Sequence, residues 1–239
     1  MKMKLNQRVF RVALTVAAVF FLSVISGFSQ RIYVKNIPEH DQKPLHFGFT
    51  IGLNTMDFRI LPSRFAAENS LTPEVNRLSP GFNINVVSNL KLTEFLDFRV
   101  LPGISFGQRQ IDFYSDTVLV NSQELESSFI EMPLILKYKS VRINNYRPYV
   151  IGGVNFRYDL AKNFSEDDQI FLKLKPFDTY IELGFGIDFY LPYFKFSTEV
   201  KYSRGFFNKI EYASNSQPQF QNSIERLNSN LIILSFHFE

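Results

Sequence analysis

The sequence contains no cysteine and no tryptophan in 239 residues. Without cysteine there is no disulfide framework, no thiol chemistry and no lipidated cysteine behind a leader, so a lipoprotein anchor is excluded. No apolar run reaches the roughly 18 residues that a membrane-spanning helix needs. Histidine is scarce too, confined to His40, His46 and His237. A Ser–His–acid hydrolase needs its histidine within hydrogen-bond reach of a serine. Only Ser235 and His237 share a strand face in that way, and such spacing is common. No glycine-rich phosphate loop follows a strand and opens a helix. The acidic stretch Ser165-Glu166-Asp167-Asp168 lacks the spaced ligands and glycine of a calcium loop and reads as a solvated loop tip. No metal, cofactor or small-molecule substrate is expected.

Aromatic residues, by contrast, make up 16% of the chain, all of them from 27 Phe and 11 Tyr. Such rings suit a pleated surface better than a helix. The formal charge of +3 has a local origin. Lys2, Lys4, Arg8 and Arg11 precede an apolar run over residues 12–25 and the small-residue stretch Ser26-Gly27-Phe28-Ser29. That order is the signature of a secretory signal peptide, expected over residues 1–29 with Gln30 as the first mature residue. Taking those four charges from 26 basic residues leaves 22 against 23 acidic ones. The mature chain is near neutral, and nothing points to nucleic acid.

Past the leader the dominant signal is period-two alternation, which sends successive side chains to opposite faces of a strand. Over residues 179–191, Ile181, Leu183, Phe185, Ile187 and Phe189 share one face while Glu182, Gly184, Gly186 and Asp188 share the other. On a helix this pattern would scatter charge and Phe around the whole circumference. Seven further segments alternate similarly: residues 46–58, 81–90, 95–107, 129–139, 147–158, 194–204 and 230–238. Most have the length of a tilted bilayer-crossing strand. The connections alternate long and short. Long ones are expected over 59–80, 108–128, 159–177 and 205–229, short ones at 91–94, 140–146 and 192–193. Short turns at one end and long loops at the other characterise an outer-membrane barrel. The predicted fold is therefore all-β, an eight-stranded antiparallel transmembrane up-and-down β-barrel over residues 46–239. Residues 30–45 form a periplasmic lead-in without readable pattern. Pro102 and Pro133 fall inside strands, where a missing N–H predicts a bulge or a point of exit from the membrane.

In lipid every backbone polar group must pair internally, which a closed barrel achieves without an edge. The Phe/Ile/Leu/Val face is then outward, against outer-membrane lipid. An eight-stranded interior is only wide enough for its own side chains, which argues against a diffusion pore. The predicted interior holds Arg99, Glu131, Lys137, Arg157, Glu182, Asp188, Glu199 and Lys201. Four are basic and four acidic, so they are expected to pair as a structural polar network; a proton- or substrate-handling cluster is the sharper alternative. Tyr138, Tyr158, Tyr180, Tyr193 and Tyr202 lie near strand ends and are expected in interfacial girdles.

Certain motifs add to this reading. Glu131-Met132-Pro133-Leu134 with Lys137-Tyr138, and Arg147-Pro148-Tyr149-Val150-Ile151-Gly152-Gly153, resemble the outer-membrane β-barrel family of Bacteroidetes. More specific are His46-Phe47-Gly48-Phe49 with Gly52, Asn54 and Asp57-Phe58, then Pro176-Phe177-Asp178. Residues 184–190, Tyr193-Phe194-Lys195-Phe196-Ser197 with Glu199, and the terminal Ser235-Phe236-His237-Phe238-Glu239 complete the set. Together these resemble the PorT family, the barrel component of the type IX secretion system. One departure is Glu239 after Phe238, where an aromatic residue commonly closes such a chain. The resemblance implies a non-enzymatic role in exporting cargo proteins to the cell surface, with other secretion-system proteins as partners. The main alternative is a surface or adhesion barrel acting through its four long loops. An enzyme built on Ser235 and His237 ranks lower, and a general porin last.

Overall fold

The computed structural model describes residues 34–68, 71–75, 79–115, 118–160, 173–211, 220 and 222–239. The expected leader and the acidic stretch 165–168 lie outside the described residues. The strands are β1 (Leu45–Pro62), β2 (Leu71–Glu74), β3 (Pro80–Lys91), β4 (Leu96–Val100), β5 (Gly103–Ser115) and β6 (Val118–Lys139). They continue with β7 (Tyr146–Asp159), β8 (Lys173–Leu174), β9 (Phe177–Tyr190), β10 (Lys195–Gly205), β11 (Ile210–Glu211) and β12 (Ile224–Phe238).

β4 and β5 are two parts of one wall strand, both pairing with β3 and with β6. The ring then runs β1, β3, β4/β5, β6, β7, β9, β10, β12, and every neighbouring pair is antiparallel. β1 closes it by pairing with β12 from Phe49↔Phe238 to Pro62↔Ile224. Closure leaves no edge to be hydrated, the condition for crossing hydrocarbon with strands. β2 adds to β5 outside the ring, and β8 pairs with β11 as a separate ribbon.

Pro102 and Pro133 do not produce bulges. The β3 pairing keeps one register from Ser88↔Val100 through Asn85↔Gly103, and the β6 pairing does the same from Val100↔Leu134 to Gly103↔Glu131. The Leu101 N–H still donates to the Pro133 carbonyl at 3.0 Å, and that of Val86 to the Pro102 carbonyl at 2.9 Å. Each proline thus deletes one ladder bond and keeps the other, a local loss that the flanking ladder tolerates.

Residues 108–128 are not a loop. β5 and β6 continue as a paired hairpin up to Ser115↔Val118. With 22 residues, β6 is about twice the length a tilted strand needs to cross a bilayer. The alternation persists there with its sign reversed. Across the membrane Ile130, Met132, Leu136 and Tyr138 are exposed on the outside of β6. Beyond it Ser122, Glu124 and Glu126 face out, while Ile111 and Phe113 of β5 turn inward and are buried. β1 inverts similarly, from outward Phe47, Phe49, Ile51 and Leu53 to inward Met56 and Phe58. Lipid rewards apolar residues on the outer face and water rewards polar ones, so the inversion marks where the wall leaves the bilayer.

Candidate functional site

All eight residues of the predicted polar network lie buried inside the ring, and the structure joins them in two groups. Arg157 lies between Glu131 (2.9 Å) and Glu182 (3.6 Å), and Glu182 also takes Lys201 at 3.3 Å. Asn155 donates to both carboxylates, at 2.8 Å for Glu182 and 3.3 Å for Glu131. Asn85 donates to Glu131 at 2.8 Å. The second group, toward the short-turn end, is built on Arg99, which pairs with Glu199 at 3.3 Å and Glu239 at 3.0 Å. Lys137 meets Asp188 at 2.7 Å. Burying a charge is tolerable only with such partners.

Several members escaped the sequence reading. Lys139–Asp97 at 2.6 Å and Lys195–Glu239 at 2.5 Å extend the second group. The terminal Glu239, which departs from the aromatic ending, turns its carboxylate inward onto Lys195 and Arg99. Strand parity could have found Lys139 and Asp97, since each lies two positions from Lys137 or Arg99 and so on the same face. Tyr149 donates to Glu199 at 3.0 Å and carries the Lys137 ammonium 3.7 Å above its ring. Its ring lies over Gly186, where a Cβ would fall 2.5 Å from the ring carbon Cζ, so that position has no room for a side chain. Tyr180 does not belong to a girdle. It sits on the inward face beside Glu182, fully buried under the Arg157 guanidinium at 4.7 Å. Tyr138, Tyr158, Tyr193 and Tyr202 are exposed.

Ser235 and His237 form no hydrolytic pair. Both are fully buried. His237 Nδ1 lies 2.6 Å from the Thr50 hydroxyl and Nε2 lies 3.4 Å from Glu199. The Ser235 hydroxyl meets no hydrogen-bond partner among the described residues.

The two ends of the lumen close differently. At the long-connection end an apolar cluster includes Phe58, Leu71, Ile111, Phe113, Leu174 and Phe220. At the short-turn end the lead-in, unreadable by periodicity, lies across the mouth as a 3-10 turn, Pro38–Gln42. Asp41 reaches Arg142 and Arg147, each at 3.2 Å, and accepts from the Tyr190 hydroxyl at 2.9 Å. Burial pushes the Asp41 carboxyl up, but Arg147 and the hydrogen bonds from Tyr190 and Arg142 outweigh it and hold the group below its ordinary 3.8. His40 stacks on His46 with ring centroids 3.9 Å apart. Burial, helped by the charge of Lys195, lowers His40 from 6.5 to about 3, so it is neutral under the turn. Beneath lies a small polar vestibule bordered by His46, Asp97, Lys139 and Lys195.

A closed antiparallel ring with an apolar outer belt, an ion-paired interior and its long connections at one end defines an outer-membrane β-barrel. Residues 28–211 match the family described as outer membrane protein beta-barrel domain, and the chain belongs to that family. The outer membrane protein OprG of Pseudomonas aeruginosa is similar in structure at 12% identity and a TM-score of 0.42, over 80% of this chain and 92% of that one. Neisserial surface protein A is similar at 8% identity and a TM-score of 0.41, over 82% of this chain and 98% of its own. No curated protein matches the chain.

Proposed function

We propose that this barrel is a non-enzymatic component of the type IX protein secretion system, needed for export of cargo proteins to the cell surface, and that it acts by holding partner proteins. The PorT-like motifs of strands β1, β6, β7, β9, β10 and β12 support the system. The filled lumen, ion-paired through its middle and covered at both ends, supports the mode of action. Among the described residues it leaves no path for a polypeptide, which supports an accessory role rather than that of the conduit. Deletion of the gene should abolish surface delivery of secreted proteases, with restoration by the wild-type chain. Undiminished delivery in the deletion strain refutes the proposal.

One observation favours a second reading, a surface or adhesion barrel. The hairpin of β5 and β6 stands beyond the membrane and exposes Val118, Leu119 and Val120 near its tip. Exposed apolar residues in a row mark contact surfaces. On that reading, replacing these three by serine abolishes surface binding while secretion continues.

A further inference from the structure

The short-turn rim already holds a peptide, and that peptide is the chain's own lead-in. Its walls come from the turn after β6, the start of β7, and the ends of β9 and β3. Arg142 and Arg147 receive the Asp41 carboxylate from two sides, and Tyr190 donates to it from a third. The Arg142 guanidinium is set in advance, 3.7 Å above the Tyr190 ring and bonded through Nε to the Asn144 carbonyl at 2.9 Å. The rim also grips main chain. Lys91 Nζ donates to the Asp41 carbonyl at 2.6 Å, Arg142 to that of Asn36 at 2.5 Å, and the Lys91 N–H to that of Pro44 at 2.8 Å. The Asn36 N–H is accepted by Asn145 Oδ1 at 2.9 Å.

Host and guest differ in how firmly they are built. The side chains of Arg142 and Arg147 are 3% and 11% exposed, that of Asp41 29%. No residue of the Pro38–Gln42 turn is fully buried, and beside its polar contacts the seated lead-in has one ring contact, the stack of His40 on His46. Ile37, which opens the turn, has φ 45°, a left-handed conformation that β-branched residues avoid. A guest held this way owes its place to being tethered, because the link supplies a high local concentration. A separate chain offering an aspartate and main-chain carbonyls, free of the strained isoleucine, can use the same donors.

We propose that this rim is a docking cradle for an acidic segment of a periplasmic partner protein, with the lead-in as its exchangeable internal occupant. The proposal rests on the reading that the barrel works by holding partners, and it adds where the hold is and what it recognises.

The full chain in lipid nanodiscs tests it, with a synthetic peptide of residues 34–44 carrying Ile37→Gly, and so free of the strained isoleucine, as the probe. In an Asp41→Asn chain, whose own guest is loosened while the rim is intact, the peptide should bind at least ~10-fold more tightly than the same peptide carrying Asn for Asp41. Adding Arg147→Ala to that chain should cut the preference several-fold, with Arg142 and Tyr190 still facing the carboxylate. Because the chain has no cysteine, a spin label on Glu39→Cys in the otherwise wild-type protein reports the seated turn alone. Its spectrum should change from immobile to mobile as peptide is added in excess. No preference between the two peptides, or a label that stays immobile at saturating peptide, overturns the proposal and makes the lead-in a fixed closure. The Glu39 and Asp41 variants leave every rim residue in place, so failure of the Arg147 variant to fold does not remove the test. Peptide binding and secretion are read separately: a chain that takes the peptide yet is dispensable for export sinks the secretion reading alone.

Discussion

Glu182 is the carboxylate on which the upper lumen group turns, and its removal tests whether that group is as dry as the geometry makes it. It is fully buried, lies 3.3 Å from Lys201 and 3.6 Å from Arg157, and accepts from Asn155 at 2.8 Å and Ser203 at 3.1 Å. In Glu182→Ala, Arg157 keeps Glu131 at 2.9 Å, whereas Lys201 loses its partner among the described ion pairs. Breaking a buried pair on one side costs about 3–5 kcal/mol, because the remaining charge stays out of water. With a urea dependence of about 2 kcal/mol per molar, the unfolding midpoint should fall by ~1.5–2.5 M. Replacing both partners, as Glu182→Met with Lys201→Met, leaves no orphaned charge and should recover much of the loss, with a coupling of ~1 kcal/mol or more. The chain has no tryptophan, so the loss of strand signal in circular dichroism from lipid vesicles is the suitable assay. A Glu182→Ala midpoint within about 0.5 M of wild type, or a double variant as unstable as the single ones added together, refutes the claim that these charges stabilise one another in a closed interior.

Leu183, 61% exposed on the outer face of β9 midway along the strand, meets lipid. Leu183→Arg should therefore cost ~2–4 kcal/mol in folding into vesicles, whereas Glu126→Arg, outward beyond the belt, should stay within about 0.5 kcal/mol; equal costs would remove the assigned membrane boundary. Phe113→Ala opens a hole in the cluster at the long-connection end, at ~3–5 kcal/mol. Hydrogen exchange should then quicken in the hairpin around residues 109–127 and stay slow over 130–138, and uniform acceleration would mean that the two cores are one. The lead-in should loosen in acid. His40 is held neutral under the turn, so its contribution is complete above its ordinary 6.5 and fades as pH falls toward about 3. Asp41 keeps its contribution until pH drops below its ordinary 3.8. A spin label on Glu39→Cys should be immobile at pH 7.5 and measurably freer at pH 4.5, and unchanged mobility contradicts the assignment.

Sequence alone determined which residues face lipid and which face the lumen between the membrane boundaries. Period two is a property of the strand, so Leu183 and Glu182 are separated by parity before any fold is known. Parity does not say which inward residues meet. Arg99 and Glu199 are a hundred positions apart, and they touch only because the ring closes and its register brings β4 and β10 toward one another across the interior. The same dependence hid Glu239, whose inward turn is set by the closing strands. Residues 108–128 read as a loop because the alternation changes sign where water replaces lipid, which a search for outward apolar residues takes for loss of pattern. The lead-in has no period at all. Its order comes from side chains on separate elements meeting Asp41 and the neighbouring backbone, an arrangement that exists only once the barrel has gathered them at one rim.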